Sequence, residues 1–316
     1  MNSIRPIYTL AGIGELLWDT LAEGKRLGGA PANVALHAHA LGGRAQIVSA
    51  IGRDQEGREI LDMLSSKKIG TDFILLNDHP TGWVDVKIGE NGLPTYVIHE
   101  NVAWDYLPFP PPMQALAQRC DAVCFGSLAQ RNAVSRNTIQ HFVCLTQPSC
   151  LRVFDINLRG DYYSREIIEY SLRIANVFKL NKEELDVLSE MFGLPRSPEA
   201  ALRALLDRYD LELVALTQGQ DGSLMMDRRA SSFCPGIAVE VKDTVGAGDS
   251  FTATMIMGFL HGAPLENVNR LAGKIAAYVC SQSGATPSLP AELIAEFEQM
   301  ITAPIPRPRD KCIQKT

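Results

Sequence analysis

A chain of 316 residues, 46% hydrophobic and 21% charged, can build one large α/β domain or two ordinary ones around a sizeable core. A formal net charge of -6 argues against nucleic acid as a partner, since the only basic stripe is Arg307-Pro308-Arg309 in the tail. No apolar run reaches the roughly 18 residues of a membrane span, so no membrane partner is expected, and Met1 to Pro6 lack a basic-then-apolar signal.

Ile7 to Leu17 reads as a first buried strand ending near Glu15. It carries Gly12-x-Gly14, but Leu17 stands where a dinucleotide fingerprint needs its third glycine, which weakens a Rossmann dehydrogenase reading. Gly28-Gly29-Ala30-Pro31-Ala32-Asn33 follows. Its glycines let backbone approach a ligand, and Pro31 suits a first helical turn. Ala32 to Leu41 is an Ala-rich helix stopped by Gly42-Gly43, with Asn33 in its first turns. Gln46 to Gly52 is predicted as a strand and Gly57 to Lys68 as a helix. From Thr81 to Glu100 the pattern changes: Val84, Val86 and Ile88 alternate, Asn91-Gly92 marks a turn, and Tyr96 and Ile98 alternate on the return. This hairpin is expected to project from the main sheet as a lid over a cleft.

Past the Pro108 to Pro112 connector, strands and helices alternate. Strands are expected at Ala122 to Gly126, Arg152 to Asp155, Val177 to Leu180, Leu211 to Leu216 and Ser223 to Met226, with helices at Ser135 to Leu145, from Glu166, and at Lys182 to Phe192. The alternation implies a mostly parallel sheet covered by helices on both faces. The seven cysteines are scattered and form no Cys-x-x-Cys pair. Cys120 and Cys124 bracket an apolar strand and read as core thiols rather than metal ligands. Free thiols point to a reducing compartment, so cytoplasm is the expected location. Ala303 to Thr316 is expected to be a tail.

The stretch Asp243-Thr244-Val245-Gly246-Ala247-Gly248-Asp249-Ser250-Phe251 organises the chemistry. A Gly-Ala-Gly turn that feeds a helix leaves backbone N–H groups unpaired at the positive end of the helix dipole, and that is an anion site. Asp249 lies at its mouth, where a carboxylate can take a proton from an attacking hydroxyl. The local reading is phosphoryl transfer; the bland one is an ordinary capped turn. Ligands of open parallel sheets gather beyond the carboxyl ends of the strands, and polar groups stand at those points. Arg159, after one strand, can fork onto a phosphate. Asn181 and Glu184 follow the next, where Glu184 can order water on magnesium. Thr217, Gly219 and Gly222 follow a third, suited to a nucleotide.

With these motifs in place, the sequence resembles the ribokinase-like (PfkB) sugar kinases from about Tyr8 to Pro290. Gly28-Gly29-Ala30-Pro31-Ala32-Asn33 and Asp243-Thr244-Val245-Gly246-Ala247-Gly248-Asp249 carry most of the likeness. Asn181-x-x-Glu184 is similar to the family's magnesium and phosphate motif, and Thr217-x-Gly219-x-x-Gly222 to its nucleotide turn. The resemblance implies a single ribokinase-like α/β domain over residues 1–316, with a mostly parallel central sheet, helices on both faces, and a small β lid from about 15–28 and 81–104. It implies Asp249 as general base and the N–H groups of Gly246, Ala247 and Gly248 as the hole for the transferring phosphoryl group. Asp19, Gly28, Gly29 and Asn33 match positions that hold sugar hydroxyls, and Arg159 and Asn157 match substrate- or phosphate-facing positions. ATP would bind over Asn181, Glu184, Thr217, Gly219 and Gly222, with Gly284 and Lys274 to Ser283 bordering the adenine. Magnesium, and a potassium ion held on backbone carbonyls, are implied as cofactors. The potassium counterparts are Asp243, Val245, Val279, Gln282, Gly284 and Ser288.

Gly14 to Asp19, Gly28 to Asn33, Glu100 to Asp105 and Phe154 to Arg159 look most like fructokinases, whereas ribokinases more often carry Lys where this chain has Pro31. Fructose is therefore the expected acceptor; another sugar, a sugar acid such as 2-keto-3-deoxygluconate, or a nucleoside stacked on Trp18 or Trp104 are the alternatives. A sensor without catalysis has no use for Asp249. Relatives often dimerise through the lid, which would bury Val84, Val86, Tyr96 and Ile98.

Overall fold

The computed structural model describes residues 6–21, 24–88 and 94–302. In chain order the strands are β1 (Thr9–Ile13), β2 (Leu17–Leu21), β3 (Gly24–Gly28), β4 (Arg44–Gly52), β5 (Ile74–Asn77), β6 (Gly82–Ile88), β7 (Pro94–Ile98), β8 (Ala122–Phe125), β9 (Leu151–Asp155), β10 (Val177–Asn181), β11 (Leu213–Thr217), β12 (Ser223–Asp227) and β13 (Ser231–Cys234). The helices are α1 (Ala30–Ala40), α2 (Gln55–Ser66), α3 (Pro111–Ala117), α4 (Ala133–Cys144), α5 (Arg165–Ile174), α6 (Lys182–Phe192), α7 (Pro198–Arg208), α8 (Ala247–Leu260), α9 (Leu265–Cys280) and α10 (Ala291–Thr302).

Nine strands form the main sheet in the order β13-β12-β11-β10-β9-β8-β1-β4-β5. Pairing is parallel from β11 through β5, and β12 and β13 add an antiparallel edge. This is the ribokinase-like α/β fold that the strand–helix alternation implied.

Alternation along each buried strand feeds two separate cores. One face carries large aromatic residues: Phe125, Phe154 and Phe178 stack across three neighbouring strands with ring centroids 5.3 and 5.6 Å apart. The other face carries smaller groups, among them Cys124, Val153, Val177 and Ala215. There α1 and α8 lie close to the sheet. Gly12 makes this possible, because a side chain at that position would overlap the Pro31 carbonyl oxygen in the first turn of α1. The glycine of β1 thus serves helix–strand packing. Cys120 and Cys124 are buried free thiols on opposite faces, as their spacing around a strand implied.

Two sequence expectations change. The first strand ends at Ile13, not near Glu15, because Gly14 turns the chain at φ 154. The segment after it becomes two further strands, β2 and β3, which had no alternation strong enough to be read. They pair with the expected hairpin: β6 lies parallel to β2 and antiparallel to β7, with Val84 opposite Ile98. The result is a distinct four-stranded sheet, β3-β2-β6-β7. The Asn91-Gly92 turn, the side chains of Val86 and Tyr96, and the tail from Ala303 lie outside the described residues. No helix among the described residues is long and apolar enough to cross a membrane.

Candidate active site

The site is built on the first turn of α8. Gly246 is the N-cap, at φ 80 and without a side-chain cap, so the following amides have no internal acceptor except Ala247 N, which leans on Thr244 O at 3.4 Å. A side chain on Gly246 would need the left-handed region and would overlap the Ala285 carbonyl oxygen. Neither Asp243 nor Asp249 caps this helix. Asp243 instead ties the turn together, accepting from Val245 N at 3.0 Å and Gly284 N at 3.0 Å.

Asp249, in that first turn, is half-buried and accepts from Asn33 Nδ2 at 2.9 Å. Burial raises its carboxyl to about 7; Asp155 adds to the rise, while the Asn33 bond, Lys179 and Arg159 oppose it. Asn33 itself is only 3% exposed, and its Oδ1 has no partner. α1 places it there because Gly29, at φ 114, lets the chain enter the helix against the Glu15 carbonyl. Glu15 braces the same entry through Oε1, which accepts from Ala30 N at 3.2 Å, while its Oε2 is buried and unpaired.

On β2, Asp19 faces β3, and Gly28 leaves it room, since a Cβ at Gly28 would overlap Asp19 Oδ2. Burial raises the Asp19 carboxyl to about 6; Arg159 opposes the rise, Asp243 adds to it and Arg26 opposes it. Arg26, on β3, donates to Asp243 Oδ2 at 3.1 Å and so joins the small sheet to the Gly246 turn. Arg159 is exposed and bonds the carbonyl of its own neighbour, Leu158, at 2.9 Å. Asn157 is held in the left-handed region at φ 44. Trp18 and Trp104 are buried in packing at 3% and 1% exposure. Trp18 donates to Glu56 O, and the Arg131 guanidinium lies 4.1 Å over the Trp104 ring. Neither offers a free face for a base to stack on.

Asn181 and Glu184 form a reciprocal capping box at the start of α6: Glu184 N donates to Asn181 Oδ1 at 2.8 Å, and Asn181 N donates to Glu184 Oε2 at 2.7 Å. Glu184 Oε1 also accepts from Leu158 N at 2.9 Å, which clasps the exits of β9 and β10. Each oxygen keeps a lone pair for a water, a donor set that fits a hydrated magnesium ion. Burial raises this carboxyl, opposed chiefly by Lys179. Thr217 ends β11; Gly219 (φ 55) and Gly222 (φ 101) shape the turn after it, and a Cβ on Gly222 would overlap the Cys234 carbonyl.

Val279 ends in the last turn of α9, and Gln282 and Gly284 follow it. Cys280 O accepts from Lys242 N and Asp243 N, so this segment is laced to the one carrying Asp243 and Val245. Ser288 O already accepts from Tyr278 Oη at 3.0 Å. Among the described residues, no group of three or more His, Cys, Asp or Glu side chains is placed to hold a metal ion. A cation in this loop would rest on carbonyls.

Lys179 and Thr252 had no role in the sequence reading, and Asp155 stood only among the polar groups at the end of β9. Lys179 Nζ donates to Asp155 Oδ1 at 3.1 Å, and both side chains are buried. Thr252, one turn along α8, donates to Asp155 Oδ2 at 2.8 Å. Lys179 stood only as the polar member of an apolar strand, a signal of burial against nature.

Residues 15–292 match the family model described as pfkB family carbohydrate kinase. The chain is 30% identical over 297 residues to a fructokinase from Salmonella typhimurium, covering 88% of this chain and 95% of that one. It is 26% identical over 295 residues to a 5-dehydro-2-deoxygluconokinase from Bacillus anthracis, covering 89% and 88%. A fructokinase from Xylella fastidiosa, solved with bound ATP, superposes with a TM-score of 0.80 at 22% identity over 92% of this chain and 98% of that one. With its fold, its glycine-capped α8 and a match across most of its length, the chain belongs to the pfkB family of carbohydrate kinases, phosphotransferases that use ATP on sugars.

Proposed function

We propose that this protein phosphorylates fructose, with Asp249 as the general base. The observation that carries the reading is the Asn33–Asp249 hydrogen bond, which fixes a half-buried carboxylate beside the open amides of the Gly246 turn. An acceptor hydroxyl next to Asp249 would be held by Asp19, Asn33 and the backbone of Gly28 and Gly29. Unpaired Asn33 Oδ1 and Glu15 Oε2 offer further acceptors to a polyol. Asp249 takes the hydroxyl proton as the oxygen attacks the γ-phosphorus. The bond from that phosphorus to the bridging oxygen breaks, and ADP leaves. Charge on the transferring group meets the N–H groups of Gly246, Ala247 and Gly248, assisted by Arg159 with Asn157 beside it.

ATP would lie over Thr217, Gly219, Gly222 and Gly284. Magnesium, held through water by Glu184 beside Asn181, would supply charge neutralisation at the phosphates. Potassium on the carbonyls of Asp243, Val245, Val279, Gln282, Gly284 and Ser288 would brace the turn. We read residues 1–316 as one catalytic unit whose small sheet closes over the acceptor. We also propose that it pairs with a second subunit there. Val84 of the expected interface set is already buried within the single chain, and Val97, 40% exposed on β7, supplies an outward apolar group instead. Light scattering at micromolar concentration is expected to give a dimer, and a monomer would overturn that pairing. A cytoplasmic location fits the free thiols.

A coupled ADP-release assay across fructose, ribose, 2-keto-3-deoxygluconate, tagatose and inosine tests the acceptor. The highest kcat/KM is expected on fructose. Preference for a sugar acid would transfer the role to that class. Turnover of inosine alone would overturn the sugar reading, although the burial of Trp18 and Trp104 already weighs against a nucleoside acceptor. No turnover on any of them would favour a sensor.

A further inference from the structure

Beneath the proposed base lies a buried charge cluster that the reaction as written does not use. Lys179 reaches up from β10, and its Nζ lies 3.1 Å from the point where a side chain on Gly248 would begin. The ammonium is therefore pressed against the backbone of the anion hole, at the one residue of that turn whose missing side chain leaves room for it. Asp155, from the end of β9, pairs with it at 3.1 Å, and Thr252 of α8 fixes the other carboxylate oxygen at 2.8 Å. Strands β9 and β10 are thus bolted to the helix that carries Asp249. A buried pair of this kind is a poor source of net stability, because desolvating two charges offsets their attraction. Its place under the proposed base calls for another account.

We propose that Lys179, seated by Asp155 and Thr252, is a positioning residue for phosphoryl transfer: its ammonium holds the Asp249 carboxylate charged and the Gly248 amide in place under the transferring group. The inference rests on the reading of Asp249 as the base. The groups that face Asp249 come from every element around it: Asp155 from β9, Lys179 from β10, Arg159 from the loop after β9, Asn33 from α1, and Cys124 from β8. Within this set Asp155 and Lys179 act on Asp249 with opposite signs. A merely structural pair would weaken the fold when either member is lost. An electrostatic pair must instead move the base in opposite directions.

The test is the pH profile of kcat for wild type, Lys179→Met and Asp155→Asn, each checked for folding by circular dichroism and thermal melting. Lys179→Met is expected to move the acidic limb to higher pH by about one unit, the shift that a charge a few ångströms away produces. Turnover would then fall about sixfold more at pH 6.5 than at pH 8.5. Asp155→Asn keeps an oxygen for Lys179 and is expected to move the limb to lower pH. Limbs that stay put, or move in the same direction, overturn the proposal. If Lys179→Met does not fold, Asp155→Asn decides alone: a downward shift supports it and an unmoved limb overturns it. Asp249→Asn serves as the separate control. If that variant keeps near-normal kcat, the base assignment fails first; if it is inactive and the two limbs do not move, only the role of Lys179 fails.

Discussion

The two sides of the site are built by different means. The floor, made of α8, β9 and β10, is internally bonded: Lys179, Asp155 and Thr252 form one buried network, Asp249 beside it is held by Asn33, and α8 is enclosed by α1, α9, α10 and the sheet. The acceptor side is a separate four-stranded sheet. Its polar groups are half-exposed, and Arg26 ties it to the floor through an ion pair with Asp243. On the proposed reading, the chemistry sits on the part that resists deformation and the choice of substrate on the part that can vary. A fold can keep one reaction while its edge changes acceptor.

That division can be broken or sharpened by experiment. Asp249→Asn should remove the reaction and spare the acceptor side: kcat should fall by about 10²–10⁴-fold or more, with sugar affinity by calorimetry within a few-fold of wild type. Gly246→Ala forces a side chain into the Ala285 carbonyl at a left-handed backbone position. Its kcat should drop on the order of 10²–10³-fold, again with little change in sugar affinity. Acidification is the milder form of the same attack. Asp249 must be ionised to accept a proton, and its carboxyl is raised to about 7. Activity should therefore rise with pH through the neutral range and fall about tenfold per unit below it.

On the acceptor side the pattern should reverse. Gly28→Ala pushes a methyl group into Asp19 Oδ2, and KM for the sugar should rise about tenfold, as loss of a hydrogen bond to a charged group would give, with kcat nearly kept. A comparable fall in kcat would dissolve the distinction between the two sides. The smallest effect is expected from Arg26→Ala. The pair it removes is half-exposed, so thermal unfolding should report a loss of less than about 1 kcal/mol.

The parallel sheet, its helices and the glycine-capped α8 were legible because each leaves a local signature: apolar runs alternating with helical stretches, and a Gly-Ala-Gly turn before an apolar helix. The small sheet was only half legible. β6 and β7 alternate, but β2 continues the apolar character of β1, and β3 (Gly24–Gly28) is too polar and glycine-rich to read as a strand. The catalytic role proposed for Asp249 was readable from its neighbours in sequence. Its coupling to Lys179 was not, because that contact joins two strand ends to a helix some seventy residues later, and nothing in the spacing of an isolated lysine records it. Glu184 reads as a metal-site residue from its motif, yet its first visible task is to clasp two strand exits.

The Asp243 carboxylate holds Arg26 of the acceptor-side sheet, the Val245 amide of the donor-side turn and the Gly284 amide in the loop beyond α9. On the proposed reading, one side chain therefore stands between two binding events. Any shift of β3 on sugar binding would then change the free energy of the turn that receives the nucleotide. Thermodynamic linkage makes the effect reciprocal: whatever factor the sugar adds to nucleotide affinity, the nucleotide must add to sugar affinity. Calorimetry of each ligand with and without the other should give equal factors, and in Arg26→Ala both should shrink together toward one.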